Sequence, residues 1–322
     1  MSSYVLGRLA ALPLSPGVEV IAGLLLATLF ILMRRFGADA QVRTHQLGSR
    51  ESTASRLAAL GALLALCGWL FGTMSQIFLV EPPSVVWWKF ASPIAGAFLG
   101  LVPMVVVIAR TPPLVEVPVL PMTPRSWSSF TDPRAVRRIV IVLIGLIVVS
   151  IVAGIASRPD DTGLYSLLPF EGGSATFYGW AFGLPVMIAA VLLTGLCFVG
   201  LVVDARRPFC RPAAVAAETA ERRTTSAALL RPTLGALMLS LGGALSLVGD
   251  AGMARGGYGI PGVGTFTWSP GYASLAPAIL WTGWLMEVVA IAVLVFVLLP
   301  ARRSSTLAAD DCAAETTAGA PS

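Results

Sequence analysis

The chain has little charge and is nearly devoid of histidine and lysine. Charged residues make up 12% of its 322 positions, against about 25% in an ordinary soluble domain. His45 is the only histidine and Lys89 the only lysine. These absences argue against paired haem ligands, a histidine-rich metal centre, a histidine-based hydrolase and a retinal Schiff base. A Walker-type phosphate loop is also missing. We therefore expect neither an enzyme nor a cofactor or metal site.

Hydrophobic residues are abundant instead, at 56% of the chain. A bilayer core about 30 Å thick requires roughly 20 apolar residues for each helix that crosses it. The sequence thus predicts an all-α, polytopic transmembrane helix bundle of about seven spans. They lie at approximately 18–33, 57–80, 90–109, 139–156, 177–203, 233–248 and 272–299.

Basic residues alternate between arginine-rich and arginine-poor loops. Of the 22, only Arg8, Lys89, Arg158 and Arg255 lie on the side where the second, fourth and sixth spans end. Because basic residues favour the cytoplasmic side, we expect the N-terminus outside and the C-terminus in the cytoplasm. The net charge of +5 follows from this topology and indicates no nucleic-acid partner. Arginine in place of lysine is typical of a GC-rich bacterial genome, so we expect a multi-pass protein of the cytoplasmic (inner) membrane.

Residues 1–303 are expected to form one membrane-embedded helical domain. Residues 304–322 are small, polar and acidic, a composition that predicts a disordered cytoplasmic tail. Six prolines between positions 111 and 133 favour an extended path. Asp132 followed by Pro133 predicts a helix N-terminus. Strong helix formers at 213–230 predict a surface helix before the sixth span.

The last six spans read as three consecutive hairpins, and their returning helices share a pattern. Each has a proline five residues after an aromatic residue, and in each the proline is expected in the first helical turn. These pairs are Trp88 and Pro93, Trp180 and Pro185, and Tyr272 and Pro277. An interface belt with permitted prolines explains the pattern without duplication and is the favoured interpretation. The alternative is one helix followed by three duplicated hairpins.

Two of the predicted outer loops are long enough to have structure of their own. The loop at 157–176 contains Asp160, Asp161 and Glu171, and the loop at 251–271 is rich in glycine and aromatic residues. Three carboxylates could contribute to a Ca²⁺ site, which takes six or more oxygen ligands. A solvated negative loop needs no further ligands and is the favoured interpretation.

Glu287 lies near the centre of the last predicted span. Inserting an acid there costs about 3 kcal/mol, and such residues usually face the bundle interior. One interpretation is a site for a proton or a small solute. The other is a carboxyl group that joins helices through a hydrogen bond, for example to Ser240 or Ser246. Trp284, almost one turn before Glu287, completes this candidate intramembrane polar site. It could shield the acid from lipid or line a pocket, and simple packing is the favoured interpretation.

Small residues predict a helix-packing seam. Three glycines recur at seven-residue spacing in the sixth span, and two more are four residues apart in the third. They are Gly235, Gly242, Gly249, Gly96 and Gly100. Glycine lets helix backbones approach closely where lipid provides no hydrophobic drive between helices. Packing is therefore favoured over a role as the wall of a polar cavity.

Two function classes remain. The first is an integral membrane protein without catalytic motifs that serves as an accessory or assembly subunit of a membrane complex. Its partners would be the lipid bilayer and other membrane subunits. The second is a transporter or channel for a small solute or for protons, with Glu287 at its centre.

Overall fold

The computed structural model describes residues 20–28, 49–78, 86–110, 126–171, 173–207, 215–260 and 264–299, and within them the chain is mostly helical. The α-helices are α1 (residues 20–28), α2 (Ser49–Phe78), α3 (Ser92–Arg110), α4 (Pro133–Ala156), α5 (Trp180–Arg206), α6 (Val215–Gly252) and α7 (Ala276–Leu298). The strands are β1 (Arg158–Pro159), β2 (Tyr165–Phe170), β3 (Gly173–Thr176), β4 (Gly256–Ile260) and β5 (Gly264–Trp268).

Six of the described helices, α2 to α7, are long and apolar enough to cross a membrane. This is the architecture of a multi-pass membrane protein, as the composition predicted. The first predicted span is described only over residues 20–28, which are helical. The rest of that span, the proline-rich stretch 111–125 and the predicted tail 304–322 lie outside the described residues.

Apolar side chains cover the outside of the bundle. On α4, Ile141, Ile144, Val152 and Ile155 are all more than half exposed, and Ile155 reaches 75%. The same helix buries Leu146 and Ala153 against its neighbours. A helix that is apolar on both its buried and its exposed sides suits a lipid environment.

Each predicted hairpin is present as a pair of antiparallel neighbours. Gly68 of α2 faces Ser92 at the start of α3, and Gly61 faces Gly100 further along. In the last pair, Gly249 of α6 lies against Leu280, near the start of α7. The bundle therefore has two ends. We call the end with β1 to β5 the strand end and the opposite one, where α3 ends at Arg110 and α5 at Arg206, the arginine end.

Local chemistry explains where α4 and α5 begin. Asp132 caps α4, because its carboxylate accepts a hydrogen bond from the backbone N–H of Arg134 at 2.9 Å, and Pro133 occupies the first turn. This is the predicted start. The prediction for Pro185 is wrong, since α5 already begins at Trp180 and Pro185 lies inside it. The helix begins five residues before this proline because the backbone N–H groups of Phe182 and Gly183 bond back to the carbonyl of Gly179.

Helix α6 corrects a second boundary. The sequence predicted a separate surface helix at 213–230 and a span at 233–248, but one helix runs through Pro232. Proline removes one backbone hydrogen bond. Buried leucines on both sides, Leu229 and Leu237, hold the helix together across it, and the hydroxyl of Thr233 bonds to the carbonyl of Leu229 at 2.8 Å.

The first part of α6 is also partly buried. Arg222 is 6% exposed and donates hydrogen bonds to the carbonyls of Ala205 and Arg207 at the end of α5. Its guanidinium lies 5.1 Å from the ring centroid of Phe130. Through these contacts Arg222 holds the first part of α6 against the end of α5 and against Phe130. A solvated surface helix would not make such buried contacts.

Both predicted loop structures at the strand end are antiparallel sheets. Strands β1, β2 and β3 form one sheet in chain order, with Leu168 opposite Ala175. Strands β4 and β5 form a hairpin with Gly256 opposite Trp268. Tyr178, between β3 and α5, is fully buried, and burial raises the pKa of its phenol above the usual range. Its ring therefore anchors this sheet to the bundle as a neutral group.

Candidate functional site

Glu287 lies on the inner face of α7 and is 5% exposed. Each of its carboxyl oxygens accepts a hydrogen bond from a different helix. The hydroxyl of Ser246 in α6 donates to Oε1 at 3.1 Å, and the indole N–H of Trp69 in α2 donates to Oε2 at 3.3 Å. A single acid thus joins α2, α6 and α7. The predicted bond to Ser246 is present, and Trp69 is a partner that the sequence did not indicate.

Glycines make room for the acid. A Cβ added at Gly242 would lie 2.6 Å from Cγ of Glu287 and 2.9 Å from the carbonyl oxygen of Gly283. A Cβ at Gly283 would lie 2.6 Å from the carbonyl oxygen of Gly242. Real side chains do not approach so closely, so only glycine allows α6 and α7 to meet here. The carboxyl group is enclosed by backbone on this side.

Phe90 forms another wall of the site. Its ring would lie 2.8 Å from a Cβ at Gly243, and it meets the rings of Tyr178 and Phe182 edge to face at 5.4 and 5.5 Å. The ammonium of Lys89 is 5.0 Å from the centroid of the Phe90 ring. The turn before α3 therefore brings the only lysine of the chain to the edge of this aromatic cluster.

Ser240 does not bond to Glu287, contrary to one of the sequence-based suggestions. Its hydroxyl donates to the carbonyl of Phe90 at 2.7 Å and to that of Ala236 at 3.2 Å. Six residues separate Ser240 from Ser246, which is about 9 Å along a helix and a third of a turn around it. The two hydroxyls consequently face different neighbours, and Ser240 attaches α6 to the turn before α3.

Trp284 packs against a neighbouring tryptophan, and its indole N–H has no acceptor in the described part of the chain. Its indole nitrogen is buried without a hydrogen-bond partner, and its ring meets that of Trp281 edge to face at 5.6 Å. Thr194 of α5 also has a buried hydroxyl without a partner. Buried polar groups nearly always have partners, so these two are exceptions among the described residues.

The remaining glycines of the predicted seam lie at close helix contacts. A Cβ at Gly235 would lie 2.6 Å from Cγ of Leu294, and one at Gly249 would lie 2.5 Å from the backbone nitrogen of Leu280. In α3, a Cβ at Gly96 or Gly100 would collide with the backbone of α2. The three glycines of α6 face α7, and the two of α3 face α2.

The acidic loop at the strand end is organised by one residue. Oδ1 of Asp160 accepts hydrogen bonds from the backbone N–H groups of Thr162 and Leu164 and from the Thr162 hydroxyl, while Oδ2 accepts one from Ser166. These donors, chiefly the Thr162 hydroxyl, lower the pKa of Asp160 to about 2. Within the described residues, no group of three histidine, cysteine or acidic side chains could hold a metal ion.

The geometry identifies residues that no local pattern could indicate. Trp69 and Phe90 belong to sequence segments distant from Glu287, and tryptophan in a span ordinarily indicates packing. Comparison with family models, curated proteins and solved structures gave no match. The chemistry of the site is therefore inferred from its own residues: one carboxyl group, held by an indole N–H and a hydroxyl, in an apolar and aromatic enclosure.

Proposed function

We propose that the protein is an integral membrane protein without catalytic activity that serves as an accessory or assembly subunit of a membrane complex. In this proposal it resides in the cytoplasmic membrane with its arginine end in the cytoplasm. The observation that carries the proposal is the engagement of both Glu287 oxygens by donors from two other helices. A carboxyl group held in this way stabilises the arrangement of three helices.

A second candidate is transport of a small solute or of protons through Glu287. The unpartnered indole nitrogen of Trp284 supports it, because that donor lies on the same helix almost one turn before the acid. Ionisable residues inside membranes often mark solute or proton pathways. Pathways of that kind normally connect several ionisable groups, whereas Trp69 and Ser246, which donate to the two oxygens of Glu287, are neutral.

Two measurements separate the candidates. Purification from native membranes in a mild detergent should recover at least one other membrane protein at a fixed stoichiometry if the protein is a subunit. Absence of any such partner across several detergents would contradict the first proposal. The Glu287→Gln variant should retain the partner, since an amide can still bond to Trp69 and Ser246.

Proteoliposomes test transport directly. We expect no proton flux above that of protein-free vesicles, and no difference between the unaltered protein and Glu287→Gln. Ser240→Ala is the matched control, because it removes a buried polar group from the same region without touching Glu287. Flux that disappears in Glu287→Gln but persists in Ser240→Ala would establish the second candidate and overturn the first.

A further inference from the structure

A cavity of about 390 Å³ opens at the arginine end of the bundle. It lies between α6 on one side and the segment that leads into α4 on the other, and its lining includes the two arginines Arg223 and Arg231. Pockets that bind small ligands typically range from about 300 to 1,000 Å³. The cavity therefore has room for a small anionic group.

The two arginines stand on one side of α6. They are eight residues apart, which corresponds to about 12 Å along the helix and less than a quarter of a turn around it. Arg231 is also 5.5 Å from the ring centroid of Phe296. Both side chains belong to the exposed part of the helix surface, so their guanidinium groups can reach a ligand that enters from outside the bundle.

The other charges around the cavity leave it positive. Asp132 is the one acid in the lining, and its carboxylate caps α4 through the backbone N–H of Arg134. Phe130 forms part of the wall, and the guanidinium of Arg222 lies 5.1 Å from the centroid of its ring. The lining thus contains two arginines and one carboxylate, and a third arginine contacts Phe130 of its wall.

The depth of the cavity also suits an anion of the membrane surface. Arg231 directly precedes the apolar part of α6, and Ala135 of the lining belongs to the first turn of α4, before Arg137 and Arg138. The cavity is therefore level with the ends of the apolar spans, where phospholipid headgroups lie. Basic pockets between helices at this depth bind anionic headgroups.

We propose that this cavity binds a phosphate-bearing anion, with Arg223 and Arg231 contributing hydrogen bonds and charge to the phosphate oxygens. Guanidinium groups match phosphate geometry through paired N–H donors. The phosphate belongs either to an anionic phospholipid or to a small soluble phosphate ester, since both present the same group to the arginines.

The test uses the full chain purified in an uncharged detergent. Binding of phosphatidylglycerol is measured by native mass spectrometry, with phosphatidylcholine as the zwitterionic comparison and sn-glycerol phosphate as the soluble probe. The double variant Arg223→Gln/Arg231→Gln should bind the anionic ligand at least tenfold more weakly, about 1.4 kcal/mol at 25 °C. The matched control, Arg137→Gln/Arg138→Gln, removes the same charge from exposed positions at the same end and should change binding less than twofold.

A second variant keeps every charge. Ala227 is part of the lining, so Ala227→Phe should obstruct the cavity and weaken binding while both arginines remain. Selective binding of phosphatidylglycerol alone assigns the site to lipid, and binding of sn-glycerol phosphate assigns it to a soluble ester. Equal losses in the two arginine double variants, unchanged binding in Ala227→Phe, or no binding of either probe by the unaltered protein would overturn the proposal.

Discussion

Polar residues inside this bundle act mainly as links between helices. Glu287, Ser246 and Trp69 join three helices, and Ser240 joins α6 to the turn before α3. Ser150 of α4 lies 3.3 Å from the phenol oxygen of Tyr178, which connects the start of α5 to α4. In lipid these bonds contribute about 0.6 kcal/mol each on average, so their number matters more than the strength of any one.

Replacing Glu287 tests this role. Glu287→Leu removes the acceptor for the buried indole of Trp69 and should destabilise the protein by about 1 to 3 kcal/mol. Glu287→Gln keeps an acceptor oxygen, and the Ser246 hydroxyl can rotate to accept from the new amide, so the loss should be smaller. Unfolding of both variants by SDS titration in mixed micelles measures the difference. If both variants lose the same amount of stability, the carboxyl group does not stabilise the protein through these hydrogen bonds.

Asp160 makes the stability of its loop dependent on pH. Its folded pKa of about 2 is below the ordinary value of 3.8, so the carboxylate stabilises the loop above pH 4 and this stabilisation is lost as the pH falls towards 2. The effect is modest because the group is only partly buried and water screens it. Hydrogen exchange at Thr162 and Leu164, corrected for intrinsic rates, should quicken over this range.

Asp160→Asn should remove most of that pH dependence and raise exchange at neutral pH. Asp161→Asn removes the same charge at the adjacent position, whose carboxylate bonds to none of the described loop residues, and should leave exchange unaltered. If the two variants behave alike, net charge and not the hydrogen bonds of Asp160 governs the loop.

Close contacts between helices depend on glycine. Gly242→Ala places a methyl group 2.6 Å from Cγ of Glu287 and should destabilise the protein by about 1 to 3 kcal/mol. Gly195→Ala in α5 is the control, because nothing lies within 4 Å of its Cβ position and alanine favours a helix by up to about 1 kcal/mol. SDS titration should show a lower stability for Gly242→Ala and a slightly higher one for Gly195→Ala. If Gly242→Ala leaves the stability unchanged, α6 and α7 can move apart without destabilising the protein.

Helix type and approximate position followed from apolar runs, but some boundaries did not. The end of α4 at Ala156 matches its predicted boundary, because polar residues begin there. The continuity of α6 was missed because Pro232 indicates a break when only local sequence is considered, whereas tertiary packing holds the helix together. Pro185 was misplaced because the pattern of an aromatic residue and a proline puts the proline in the first turn, whereas α5 begins directly after Gly179.

The site was only partly predictable for a physical reason. Burial of Glu287 and its bond to Ser246 follow from neighbouring helices in one hairpin. Trp69 is 218 positions away, and nothing in a local pattern determines which distant helix packs against α7. The same holds for Phe90, whose position depends on how the turn before α3 meets α6.

The whole molecule has a predicted orientation that labelling can test. In a chain whose natural cysteines are replaced by alanine, Thr162→Cys lies at the strand end and Ser128→Cys at the arginine end. A membrane-impermeant maleimide should label Thr162→Cys in intact cells, and Ser128→Cys only after permeabilisation. The reverse pattern would show that the orientation is opposite to the predicted one. Labelling of both cysteines in intact cells would exclude a spanning bundle.

Helix α6 connects the two ends of the molecule as one unbroken rod. Its 38 residues correspond to about 57 Å at 1.5 Å per residue, nearly twice the thickness of a bilayer core. Arg222 clamps the rod near one tip, and the β4–β5 hairpin follows directly from the other. A displacement of α6 along its axis would therefore move the Arg222 contacts and the β4–β5 hairpin together.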